Sequence, residues 1–232
     1  VRIAGRTRTG IKVVDPLRQH TTDINFPGEA PSSADLEQLV AVLDGLVTEC
    51  DWFVFSGSLP AGVPVFLYRD LLQRVRGKHV ALDTSGEAFR QAITAAPSII
   101  KPNVEELSQY LGQQLTTQGE VLDAARGLLR LGVQTVVVSM GEQGALFVEE
   151  DDAVQATPPV VVVQSTVGAG DAMVAGMVAG KSRGLSLSDC ARLATAFAVD
   201  AISHVGSGLT SRQAIETILP QVTVAPVWVN SL

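Results

Sequence analysis

Residues Val160 to Gly180 read VVVVQSTVGAGDAMVAGMVAG, and the reading of this stretch decides the fold. The four valines Val160–Val163 predict a buried β-strand, and the small-residue run after Asp171 predicts an α-helix. Between them, Gly168-Ala169-Gly170-Asp171 forms a turn whose backbone N–H groups open that helix. A helix N-terminus leaves N–H donors unpaired and carries partial positive charge, so the turn suits an anion. Asp171 is the odd member, because a carboxylate repels a phosphate. The chemistry that fits it there is general base catalysis, taking a proton from a hydroxyl that attacks the phosphate.

Working outward, strands and helices alternate. Upstream, Trp52–Phe55 reads as a short buried strand ending in Ser56-Gly57-Ser58-Leu59-Pro60. Such a loop lies at a strand's carboxyl end, where open α/β sheets bind ligands. Leu67–Val75 predicts a helix, His79–Asp83 a strand, residues 87–95 a short helix, and Ser98–Ile100 another strand. Val121–Leu131 is an amphipathic helix closed by Gly132, and Thr135–Ser139 is a β-branched strand. Leu146–Val148 follows as a strand, Asp151-Asp152 as a hairpin turn, and residues 153–164 as strands around Pro158-Pro159. Downstream of the opening stretch, a helix is expected over Ser188–His204, capped by Ser188, and another from Ser211, with a last strand through Val222–Val224. This order predicts an α/β fold with a mostly parallel sheet covered by helices on both faces.

Residues 1–26 stand apart. VRIAG, GIKVVD and TTDINF alternate loosely between polar and apolar, as in an antiparallel piece with one wet face. Arg6, Arg8 and Lys12 concentrate positive charge here, as a solvated strand face or as a basic flap over an anionic substrate. Val1-Arg2-Ile3 already reads as the middle of a strand, without a leading Met, so an N-terminal part is expected to precede it. After Pro27-Gly28, Ser32 with Asp35 resembles a capping box, opening a helix with Leu36, Leu39, Val40, Leu43 and Val47 on one face.

Lys101-Pro102-Asn103-Val104-Glu105-Glu106 turns sharply, since Pro102 bars Lys101 from ordinary helix. Asn103 and Glu106 then share a face of the next helix. Two readings stand: a plain helix cap, or a polar pair facing a hydrated metal.

The chain of 232 residues is long enough for one sizeable core, and 46% of it is hydrophobic. A net charge of −7 with no basic run argues against nucleic acid and anionic membranes as partners. Cys50 and Cys190 match no metal spacing and read as two reduced thiols of a cytoplasmic protein. Gly176–Ser182 approaches a phosphate-binding loop, but its first glycine is misplaced and it follows helix rather than strand. Gly168–Met173 is half of a dinucleotide fingerprint, yet about 20 residues on, where a ribose-binding acid should end a strand, the sequence is helical. His20, His79 and His204 show no ligand spacing.

Taken together, these pieces resemble the PfkB branch of the ribokinase-like carbohydrate kinases, over nearly the whole chain. Thr166–Gly176 is similar to that family's C-terminal signature, and Lys101–Leu107 to its N-x-x-E segment. Ser139–Ala145 is similar to its nucleotide-side glycine loop. Thr7-Arg8-Thr9, Thr22–Gly28 and Ser56–Pro60 resemble segments of its phosphosugar members, 1-phosphofructokinases and tagatose-6-phosphate kinases. The resemblance departs at Gly10, where those members have Asn, and in the lack of the family's N-terminal strands and Gly-Gly sugar signature.

The resemblance implies a ribokinase-like αβα sandwich over residues 27–232, with residues 1–26 as part of a β lid that pairs subunits into a homodimer. It implies ATP-dependent phosphorylation of a phosphorylated ketohexose, fructose 1-phosphate to fructose 1,6-bisphosphate. Alternatives are tagatose 6-phosphate, fructose 6-phosphate, or ATP binding without catalysis. Asp171 would be the base, with Gly168, Ala169 and Gly170 as N–H donors to the transferred phosphoryl group. Lys101, Asn103, Glu106, Ser139, Gly141 and Gly144 would serve ATP, Asn103 and Glu106 holding Mg²⁺ through water. Arg8, Ser56 and Gly57, with Asp171, would hold the sugar.

Overall fold

A computed structural model, which describes residues 1–3, 9–15, 20–26, 28–206 and 208–227, places a two-stranded hairpin ahead of a seven-stranded sheet. In the hairpin, β1 (Gly10–Asp15) and β2 (His20–Asn25) run antiparallel, with Ile11 opposite Ile24 and Val13 opposite Thr22. Residues 1–3 lie outside any strand, unlike the reading of Val1-Arg2-Ile3 above; among the described residues no strand pairs with them.

Helix α1 (Ser33–Leu46) begins at the expected capping box: Asp35 N donates to Ser32 Oγ at 3.2 Å and Ser32 N to Asp35 Oδ2 at 2.8 Å. Leu43 enters the core, with Val40 and Val47 packed beside it, while Leu39 stays exposed. Then follow β3 (Trp52–Ser56), α2 (Leu67–Arg74), β4 (His79–Asp83), α3 (Gly86–Ala92), β5 (Ile99–Ile100), α4 (Val104–Leu111) and α5 (Gln118–Leu129). After these come β6 (Thr135–Ser139), β7 (Ala145–Val148), β8 (Ala153–Thr157), α6 (Ala169–Lys181), α7 (Leu187–Ile202), α8 (Arg212–Ile218) and β9 (Thr223–Pro226).

The sheet keeps chain order from β3 to β9. Pairing is parallel from β3 through β6 and antiparallel from β6 through β9. Alternation along β6 divides the core: Val136 and Val138 face a cluster with Leu107, Leu122 and Leu128, while Val137 faces Met173, Met177 and Ala194. Helices α1–α5 thus cover one face and α6–α8 the other, the three-layer arrangement of a ribokinase-like fold. On the second face Gly176 lets α6 and α7 approach closely, since a Cβ there would stand 2.5 Å from Ala194 Cα.

Three expectations are corrected. The valines Val160–Val163 form no strand: β8 ends at Thr157, and Val160 and Val162 are exposed. Pro158-Pro159 removes two ladder donors, and the open edge of β8 is taken instead by β9, with Ala156 opposite Val224. The cap of α7 is Ser186, whose Oγ accepts from Asp189 N, so Ser188 lies inside the helix, which ends at Ile202. Helix α5 starts before Val121, at a capping box of Thr117 and Glu120. Among the described residues no helix is long and apolar enough to cross a membrane.

Candidate active site

The carboxyl ends of the parallel strands and the N-terminus of α6 meet at one edge of the sheet. Gly168 caps α6 at φ 81, a left-handed conformation that glycine adopts without strain. The first bond of the helix ladder is Ala172 N to Gly168 O at 2.8 Å. The N–H groups of Ala169, Gly170 and Asp171 therefore stand outside the ladder, as the first turn of any helix requires.

Asp171 is exposed in that turn, and Ser56 Oγ donates to its Oδ1 at 2.9 Å. Ser56 ends β3, and the loop after it is tied down. Gly57 takes φ 100, its N–H donates to Asp83 O at 2.9 Å, and its carbonyl accepts from Thr84 Oγ1 at 2.9 Å and Tyr68 Oη at 3.0 Å. The structure thus brings Ser56 to Asp171, while the bonds of Gly57 go to Asp83, Thr84 and Tyr68.

Beneath Gly170 lies an ion pair that the sequence reading did not find. Lys101 Nζ stands 3.2 Å from Asp83 Oδ1, with side chains only 9% and 18% exposed. A Cβ on Gly170 would come within 3.1 Å of Lys101 Nζ, so the glycine leaves this cation room under the helix start. Burial pushes the Asp83 carboxyl above its ordinary value; Lys101 opposes the shift and the Asp171 charge adds to it. Burial, and then the Asp83 charge, likewise push up the Tyr68 phenol.

Asn103 caps α4 in full: Glu106 N donates to Asn103 Oδ1 at 2.8 Å, and Asn103 N donates to Glu106 Oε2 at 2.9 Å. The cap reading is therefore realised, and it leaves Glu106 Oε1 outside the pair. No group of three or more His, Cys, Asp or Glu that could hold a metal occurs among the described residues. Asn103 and Glu106 fit a Mg²⁺ held through its waters and through substrate phosphates, the habit of that ion, rather than by a protein cage.

Asn103, Ser139, Gly141, Gly144, Ala169 and Gly170 line one cavity of about 790 Å³. Gly144 is at φ 85, and a Cβ there would stand 1.9 Å from Ala156 O, so no side chain fits. Walls that the sequence reading missed are the Pro158–Val163 segment and one face of α7, Thr195, Ala198, Val199 and Ile202. The valines were the signal: apolar residues on an exposed segment need a cover, and here they cover a cavity. The cavity has an apolar end against α7 and a polar end at the glycines and the start of α6. Lys101, Glu106, Gly168 and Asp171 lie outside its lining, Lys101 and Asp171 flanking Gly170. Arg6, Arg8 and the Lys12 side chain lie outside the described residues.

Fold and site together define a ribokinase-like α/β kinase. A model of the pfkB family carbohydrate kinases matches residues 1–214, and the chain belongs to that family. The 1-phosphofructokinase of Rhodobacter capsulatus is 47% identical over 226 residues, covering 96% of this chain and 72% of that protein. The 1-phosphofructokinase of Escherichia coli K12 is 36% identical over 226 residues, covering 97% of this chain and 72% of that protein. Phosphofructokinase-2 from Escherichia coli, solved in complex with potassium, superposes with a TM-score of 0.84 at 32% identity, over 95% of this chain and 72% of that one. The chain thus spans about 72% of the length of each.

Proposed function

We propose that the chain transfers the terminal phosphoryl group of ATP to a hydroxyl of a phosphorylated ketohexose, converting fructose 1-phosphate to fructose 1,6-bisphosphate. The observation that carries the reading is the placement of Asp171. It sits in the first turn of α6 beside unpaired N–H groups, held by Ser56, one residue from a cavity suited to a nucleotide. The names of the two 1-phosphofructokinase relatives support this sugar.

In this reading Asp171 accepts the proton of the sugar hydroxyl as that oxygen attacks phosphorus. The N–H groups of Ala169 and Gly170 point at the charge that builds on the transferred oxygens, and Lys101 adds a fixed cation below them. Because these donors are set by helix geometry, they need no reorganisation during the reaction. Asn103 and Glu106 would hold Mg²⁺ through its waters, and the ion would neutralise phosphate charge. Ser139, Gly141 and Gly144 form the nucleotide side, and Ser56, Gly57 and Arg8 the sugar side, Arg8 as a guanidinium fork for the phosphate already present. Such an enzyme works in the cytoplasm, where ATP and phosphosugars are found.

Residues 1–26 act as a lid over the sugar. The exposed apolar face of the hairpin, Ile11, Val13, Ile24 and Phe26, supports its pairing with a second copy as a homodimer.

A coupled ADP-release assay with ATP and Mg²⁺ tests the reaction. Turnover on fructose 1-phosphate above fructose 6-phosphate and tagatose 6-phosphate is expected. A structure of Escherichia coli phosphofructokinase-2 in complex with fructose 6-phosphate, similar to this chain with a TM-score of 0.81, makes that sugar the rival acceptor, and a preference for it would overturn the sugar assignment alone. ATP binding with no turnover on any of the three would leave a nucleotide-binding protein without this catalysis.

A further inference from the structure

Asp200 lies in the last turn of α7, a place that works against a carboxylate. It is 3% exposed, and the C-terminal end of a helix disfavours negative charge. Among the described residues no cation forms an ion pair with it. Its side chain is held instead by one residue further along the chain. Thr210 N donates to Asp200 Oδ2 at 2.8 Å, and Thr210 Oγ1 donates to Asp200 Oδ1 at 2.5 Å. The same helical turn presents the carbonyl of Ile202, which accepts from Gln164 N at 2.8 Å and from Ser165 N at 3.3 Å. Ser165 Oγ in turn accepts from Val167 N at 3.2 Å, and Gly168, the cap of α6, follows. Hydrogen bonds thus connect Thr210, through one turn of α7, to the residue before the turn that carries Asp171.

We infer that the Asp200–Thr210 pair is a positioning device for phosphoryl transfer: it keeps the end of α7 wound and so holds the run into Gly168–Asp171 in place. The inference rests on the kinase reading of that turn. The last carbonyls of a helix have no partner inside it, so the last turn frays unless something outside holds it. Ser203 Oγ donates to Val199 O at 2.6 Å and His204 Nδ1 lies 2.8 Å from Asp200 O. Both residues follow the helix directly and would move with its end. Thr210 is different, because it adjoins a separately packed element. Ser211 next to it caps α8, its Oγ accepting from Ala214 N at 3.0 Å, and Ile215 of that helix is buried. Fraying of α7 would withdraw Ile202 O and release both amides bonded to it. The N–H groups of Ala169 and Gly170 stabilise developing charge only while they are preorganised.

The test compares wild type with Thr210→Val, which loses the hydroxyl and keeps the shape, and Thr210→Ser, which keeps both donors. Asp200→Asn, which removes the charge, is the second disruptive variant. Two quantities are read: kcat and KM with ATP, Mg²⁺ and fructose 1-phosphate, and the amide hydrogen exchange of Gln164 and Ser165 without substrates. In Thr210→Val and Asp200→Asn, kcat is expected to fall about tenfold, the worth of a hydrogen bond to a charged group. The KM for the sugar should stay within about twofold, since Ser56 and its loop are built on β3. Both amides should exchange about tenfold faster while those of β6 keep their rates. Thr210→Ser should match wild type within about twofold in both readouts. Unchanged kcat in both disruptive variants overturns the inference, and so do unchanged rates at Gln164 and Ser165. A lower melting temperature with kcat and both amides unaltered marks a merely structural clamp and overturns it too. Wild type that phosphorylates no sugar defeats the kinase reading, and the exchange rates then support or overturn the coupling by themselves.

Discussion

Ser56 Oγ donates to Asp171 Oδ1 at 2.9 Å, joining the end of β3 to the first turn of α6 across 115 residues of sequence. The bond aims the carboxylate at the edge where the loop after β3 and the N–H groups of α6 converge. Asp171→Asn removes the base and keeps the shape. Its turnover is expected to fall by about 10²–10⁴ with ATP affinity retained. Ser56→Ala leaves the base but frees its orientation, and roughly a 10–100-fold loss of kcat/KM is expected from one hydrogen bond to a charged group. Near-normal kcat in Asp171→Asn, read by ADP release, would remove the residue from the chemistry.

Gly170 and Lys101 make a second pairing. The added methyl of Gly170→Ala would stand 3.1 Å from Lys101 Nζ and 3.7 Å from Asp83 Oδ2. Alanine suits a helix, so the fold should hold to within about 1 kcal/mol. The displaced ammonium should weaken ATP binding by about tenfold or more, as expected for losing a charge-assisted contact. A calorimetric titration showing unchanged affinity would mean that Lys101 plays no part in holding the phosphates.

The raised Asp83 carboxyl makes a statement about acid stability. Because its folded value lies above the ordinary 3.8, the folded protein holds a proton that the unfolded chain has released. The stability linked to it is fully present below pH 3.8 and is lost as pH rises through the folded value. Asp83→Asn has no such titration. Urea midpoints taken upward from pH 3.8 should show wild type losing ground to the variant, whatever the constant offset from unpairing Lys101. A difference that stays flat with pH would refute the shift.

Gly144→Ala tests the turn at the nucleotide cavity. The new methyl would meet Ala156 O at 1.9 Å in a backbone at φ 85. A loss of about 3 kcal/mol in chemical denaturation is expected from strain and overlap together. Nucleotide affinity should fall as well, since Gly144 and Pro158, which flank β7 and β8, line the cavity. A stability change under about 0.5 kcal/mol would show that the hairpin opens freely.

Much of this architecture is local, and for that reason the sequence by itself determined it. Ser32 with Asp35 and Asn103 with Glu106 cap helices through residues three apart, and Thr135–Ser139 is a strand by its β-branched run. The turn Gly168–Asp171 likewise carries its helix start and its carboxylate in consecutive residues. The valines Val160–Val163 show where local reading ends. Four β-branched residues favour a strand, but a strand needs a neighbour, and β9 had taken the edge of β8 from more than sixty residues away. Asp83 carries no motif. It acquires a role because parallel pairing sets the ends of β4 and β5 side by side and so brings it to Lys101. Caps, turns and periodicity depend on bonds between near neighbours and are written in order. Edge occupancy, buried ion pairs and cavity walls depend on which distant segments meet, and the tertiary structure alone decided those.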